Sequence, residues 1–165
     1  MAIVKGSDVI DSYQQVLPAA ASFADEYVKG IRRSIENQKL PVEITTESAS
    51  TGMFKAVMGR SREFLVVKPT NRALDVFRIL HYGVPSGDNL AAGWFLTGRV
   101  RGLGTSQLRV PVIDSLDIFD NADLQALVDG IHHFAVIDSI LGFADQVGFS
   151  RDRVETKHQG FFGVS

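Results

Sequence analysis

The chain of 165 residues contains no cysteine. That absence removes disulfides, thiolate catalysis and every cysteine-ligated zinc or iron–sulfur site. No stretch approaches the ~18 uninterrupted apolar residues of a membrane span. The opening MAIVKGSDVIDSYQQ lacks the long apolar core of a signal peptide. A soluble cytoplasmic protein with no membrane role is therefore expected. The familiar spacings of catalysis and cofactor binding are missing as well, since no GxGxxG, GxSxG, HExxH or EF-hand pattern occurs. GLGTS, residues 102–106, has neither the lysine nor the strand-to-helix setting of a phosphate loop, so a plain turn is expected there. Internal repeats and low-complexity tracts are absent too.

One sign of charge is also missing from part of the chain. Residues 110–149 hold seven aspartates and no Lys or Arg, whereas residues 55–109 hold nine basic groups against three acids. The net charge of −2 therefore hides a chain that is bipolar in sequence. Apolar residues at 45% and charged residues at 22% match an ordinary soluble domain. At this length a single domain buries roughly two thirds of its unfolded surface without staples.

Hydrophobic periodicity then assigns the elements. Val9, Tyr13, Val16, Leu17, Phe23, Tyr27, Ile31 and Ile35 recur near the helical period, which predicts a helix over 7–39, kinked or divided by Pro18. VEITTES from Val42 alternates as a half-buried strand, with a turn at SASTG and a short helical turn or loop at MFKAVM. REFLVVK, residues 62–68, reads as a strand. ALDVFRILHYG suits a helix begun at Thr70 or Asn71, but its Val, Phe, Ile and Tyr content favours a strand over 75–82, with Arg78 and His81 facing out. PSGDN turns the chain into a further strand over 90–97, giving an antiparallel meander. GRVRGLGTSQ is a loop, and LRVPVI a short edge strand because Pro111 cannot donate to a central ladder. A helix over 122–147 follows, capped by Asp120 or Asn121 and stopped by Gly148.

That last helix carries the most unusual stretch, IHHFAVIDSILGF. Projected at 100° per residue, its apolar residues form two stripes: Leu124, Leu127, Val128, Ile131 and Ala135 in the first half, Ile137, Ile140, Leu141 and Ala144 nearly opposite in the second. Such a helix is either a central core element or is covered by sheet on one side and a second copy of the protein on the other. Asp129 stands three residues before His132 and four before His133, so its carboxylate can reach either imidazole. A carboxylate that orients an imidazole suits a general base or a metal ligand, and equally satisfies two buried polar groups with no chemistry. No third ligand and no nucleophile is visible, so neither a metal nor a cofactor is expected.

Aromatics lie among the basic residues: Phe54, Phe64, Phe77, Tyr82, Trp94 and Phe95. Rings beside Lys and Arg on a sheet are one way to bind single-stranded nucleic acid. Alternation sends most of these rings inward, and no nucleic-acid motif accompanies them. The spacing of Asp114, Asp117, Asp120 and Asp123 across a helix start reads as solvated capping rather than calcium binding. Phe161 and Phe162 in the terminal GFFGVS would each gain about 1.5–3 kcal/mol by burial, so they are expected to dock on the core or in a neighbouring subunit.

DIFDNADLQALV, the paired histidines, RDRVETK and the closing QGFFGVS together resemble a family of small bacterial and archaeal proteins with a similar helix and a closing KGFLG-like sequence. The likeness covers mainly residues 62–165 and fits the strand reading of 75–82. No activity is attached to that family, so it implies no role for either histidine.

The sequence thus predicts an α+β fold: an antiparallel sheet of four or five strands with an N-terminal helix and a long C-terminal helix packed on one face. The expected function is a non-enzymatic interaction module that forms a homo-oligomer or holds a protein partner through the C-terminal helix and the Phe161–Phe162 tail. One alternative is a domain for a small apolar ligand, with His132 or His133 and an arginine such as Arg78 as polar contacts and Trp94 in the wall. A further alternative is an acid–base enzyme using Asp129 and His133.

Overall fold

A computed structural model of the chain describes residues 2–4, 9–51, 62–98 and 116–160. The fold is α+β. Strands β1 (Ala2–Val4), β2 (Val9–Leu17), β3 (Val42–Thr51), β4 (Arg62–Pro69), β5 (Phe77–Ser86) and β6 (Asn89–Gly98) form one sheet in the order β1-β3-β4-β5-β6-β2. Every pairing is antiparallel except that of β1, which runs parallel to β3. Helix α1 spans Ala24–Gln38 and helix α2 spans Ile118–Gln146.

The first expected helix is half strand. Residues 9–17 pair with β6, and the helix is confined to Ala24–Gln38 after a 3-10 turn at Ala21–Phe23, with Ala24, Tyr27, Ile31 and Ile35 buried at helical spacing. The misreading has a physical source: on β2 the buried positions are Asp11, Tyr13 and Leu17, so a charge sits where alternation demands an apolar residue. β3 likewise runs on through Ser48–Thr51, where a turn is expected. The helix signals at Asn71 are genuine but brief, because its side chain accepts from the Ala73 N–H at 3.0 Å and caps a single 3-10 turn, Arg72–Leu74, before β5 begins. Gly87, at φ +61°, supplies the left-handed residue that the β5–β6 hairpin requires. The readings at 53–58, 102–106 and 108–113, together with Phe161 and Phe162, lie outside the described residues.

α2 starts earlier than expected. Asp117 is its cap, accepting from the N–H groups of Phe119 and Asp120 at 2.8 Å each. Gly148, at φ +68°, ends it as expected, with Phe149 N–H bonded to the Ala144 carbonyl at 2.8 Å. Between these ends His132–Ile137 is π-helical, and this resolves the two apolar stripes. Leu124, Val128, His132, Val136, Ile140 and Ala144 are all buried at a strict spacing of four. On a uniform α-helix such a ladder drifts about 40° per step and would swing roughly 200° around the axis. The wider π turns take up part of that drift and return the ladder toward one side. By length and composition alone α2 is apolar enough to cross a membrane, but this ladder is buried inside the fold.

The main core joins residues of α1 and α2 to Leu65, Val67, Phe77, Ile79, Trp94 and Leu96 of the sheet. Alternate positions of the same strands, Phe64, Val66, Leu80 and Tyr82, form a second buried cluster with Phe95 packed against it. Tyr82 lies between the rings of Phe64 and Phe95, at 6.2 and 5.2 Å. With Phe64 and Tyr82 buried, these rings are no open platform for stacked bases.

Candidate functional site

The site is built where β2, β6, α2 and the segment after α2 meet. Tyr13 on β2 and Trp94 on β6 are register partners, so both rings face the same side of the sheet. From α2, the His132 ring inserts against them, with ring centroids 4.7 Å from Tyr13 and 5.7 Å from Trp94. The Trp94 Nε1–H donates to His132 Nδ1 at 3.1 Å, which leaves Nε2 to carry the hydrogen and donate to the Thr156 carbonyl at 2.9 Å. His132 is therefore one fixed neutral tautomer. Burial pushes its pKa down to about 4, against a smaller upward pull from the Thr156 bond.

His158 is the opposite case. Its Nδ1 lies 2.6 Å from Asp11 Oδ2 and its Nε2 lies 2.9 Å from Asp129 Oδ1. Carboxylates only accept, so both ring nitrogens carry hydrogens and the ring is an imidazolium. Its pKa is raised, first by the Asp11 hydrogen bond, which outweighs burial, and then by the Asp11 charge and by Asp129. The other Asp11 oxygen accepts from the backbone N–H of Ser12 at 2.7 Å and of Gly160 at 2.8 Å. Asp11 is thereby fully bonded at zero exposure, while His158 is 10% and Asp129 45% exposed.

These groups clamp residues 154–160 along β2. Tyr13 Oη donates to the Glu155 carbonyl at 2.6 Å, Glu155 N–H donates to Gln15 Oε1 at 2.9 Å, and Gln159 N–H donates to the Ser12 carbonyl at 3.1 Å. Val154 is the buried apolar residue in this stretch, so hydrogen bonds do most of the holding.

The expected site residues are thus only partly brought together. Trp94 and His132 touch, as do Asp129 and the cluster, but Asp129 bonds His158 rather than His132 or His133. His133 is exposed on α2. Arg78 stands on the other face of β5 from His81 and donates to the carbonyls of Asp75 and Phe77. His81 does not face out: it is fully buried, neither ring nitrogen has a partner among the described residues, and burial lowers its pKa to about 3. Sequence reasoning missed Asp11, Tyr13 and His158. The one available signal was Asp11, a lone acid within the β-rich VIDSY.

In chemical terms the cluster is occupied. Both nitrogens of His132 and of His158 are engaged, so neither ring offers a lone pair to a substrate proton or a metal in this arrangement. Among the described residues no three His, Asp or Glu side chains are set to hold an ion.

The histidines predict a stability maximum near their ordinary pKa of ~6.5. His158, raised on folding, contributes stability that is complete below that value and is lost as pH rises through its folded pKa. His132 and His81, lowered on folding, resist protonation, so stability also falls as pH drops from ~6.5 toward their values of about 4 and 3. Denaturant midpoints measured across pH should show this dome. His158→Gln should flatten its alkaline side, and an unchanged alkaline limb would refute the assignment.

No protein-family model matches the chain, and no curated protein or solved structure shows significant similarity to it.

Proposed function

We propose that the protein is a non-enzymatic cytoplasmic interaction module that self-associates, or holds a protein partner, through α2, with Phe161 and Phe162 of the tail as further contacts. The observation that carries this reading is Phe134, 65% exposed on an anchored stretch of backbone. Its carbonyl accepts from the Ser34 hydroxyl of α1 at 2.9 Å, which ties the π-helical segment to its neighbour. A large apolar ring held in water on a fixed frame gains about 1.5–3 kcal/mol when a partner covers it. Ile118 and Phe119, 78% and 79% exposed, repeat the feature at the start of α2. α2 itself carries five aspartates and no Lys or Arg, so a basic rim on the opposing surface complements it.

Sizing and native mass spectrometry test this directly. The expected result is an oligomer that Phe134→Asp converts to a folded monomer with unchanged circular dichroism. A wild-type monomer at tens of micromolar would remove self-association from the reading.

The small-ligand alternative has one observation in its favour, which moves the polar contact from His132 to His81. A buried donor or acceptor without a partner costs about 1–3 kcal/mol, and His81 leaves both ring nitrogens so. A neutral molecule bridging them would appear as a retained mass in the same spectrum.

A further inference from the structure

Asp11, His158 and Asp129 form a host and a guest on one chain. The host consists of two carboxylates supplied by different elements, β2 and α2, with a flat ring seated between them. Its walls are aromatic: the Trp94 ring is 5.4 Å and the His132 ring 4.9 Å from His158. The His158 ring meets the host through its two ring N–H groups and the neighbouring aromatic rings, the features of any flat cation with two divergent donors, while the Gly160 N–H of its own segment bonds Asp11 as well.

We propose that this cleft is a receptor for a flat organic cation of the imidazolium or guanidinium class, and that His158 is its built-in occupant, exchangeable with an external cation.

Host geometry supports this. Asp11 is aimed by two backbone donors, the Ser12 N–H within β2 and the Gly160 N–H beyond His158, which together hold the oxygen that does not face the ring. Two carboxylates across one small space repel each other unless a positive charge lies between them, so a neutral guest of the same shape is disfavoured. The remaining ionisable neighbours do not supply that charge. His132 is locked neutral by Trp94 and Thr156, His133 lies beyond it, and the Glu155 carboxylate accepts from the Lys157 backbone N–H. Access is from one side, since exposure rises from Asp11 at zero through His158 to Asp129 at 45%. The inference is independent of self-association through Phe134.

The test is chemical rescue in the full chain. His158→Gly would be titrated at about pH 6 with imidazole, methylguanidinium and pyrazole, the last a neutral ring of imidazole's size. Trp94, the one tryptophan, reports occupancy by its fluorescence. Imidazole and methylguanidinium should bind saturably in the millimolar range and raise the melting temperature, with pyrazole at least about tenfold weaker, a difference of ~1.4 kcal/mol. Adding Asp129→Asn should weaken imidazole by a similar factor. At about pH 9 imidazole should fail while methylguanidinium persists. Equal binding of pyrazole would reduce the site to a plain cavity, and a folded variant that binds none of the three would overturn the proposal. Should His158→Gly not fold, nitrogen NMR of the wild type at about pH 6 decides: His158 nitrogen signals that shift as methylguanidinium is added support exchange, and signals unchanged at saturating cation overturn it.

Discussion

Replacing Asp11 with alanine should cost about 3–5 kcal/mol, because it leaves a buried imidazolium without its nearer counter-ion. Two backbone N–H groups, of Ser12 and Gly160, lose their acceptor in the same step. For a chain of this length the melting temperature should fall by roughly 10 °C. The source of the loss can be isolated. His158→Ala in the same background removes the stranded charge, so the double variant should lose clearly less than the sum of the two single changes. Additive losses would mean that Asp11 and His158 act separately, contrary to the 2.6 Å contact between them.

A comparable loss is expected from Gly93→Ala, for a steric reason. Gly93 on β6 is flanked in register by Gln14 and Tyr82, and a Cβ there would collide with the Tyr13 carbonyl oxygen and stand 2.8 Å from the Tyr82 hydroxyl. The carbonyl belongs to the backbone of β2 and cannot withdraw without breaking the β2–β6 pairing. About 3 kcal/mol or more should be lost, at the upper end for overpacking. Hydrogen exchange should place the damage in β2 and at residues 154–160, with β3 and β4 least affected. An alanine tolerated within about 0.5 kcal/mol would mean that β2 does not lie where it is described.

The meander was legible because β4, β5 and β6 are rich in residues that suit a pleated, half-buried surface and are separated by turn chemistry. β2 was not, and Asp11 explains why. An inward carboxylate breaks binary patterning unless its partner is known, and His158 lies 147 positions away. Sequence spacing reveals local pairs such as Asp129 with His132, and helix geometry permits that pair, yet a distant cation competes for the same carboxylate and holds it. The two stripes of α2 do mark core residues, but the way one helix buries both was hidden for another reason. A 3.6 period was imposed on a helix that locally departs from it, and nothing in HHFAVI announces a π turn.

The clamp along β2 also bears on how the protein behaves in a crowded solution. β2 is a terminal strand of the sheet, the kind of border on which stray chains add and fibrils begin. At Ser12 both main-chain groups are already taken, the N–H by Asp11 and the carbonyl by Gln159, and the Val16 carbonyl accepts from the Gln15 side chain at 3.0 Å. A histidine that keeps its proton therefore does more than fix a tail: it holds in place the segment whose Gln159 occupies an outward carbonyl of this border strand.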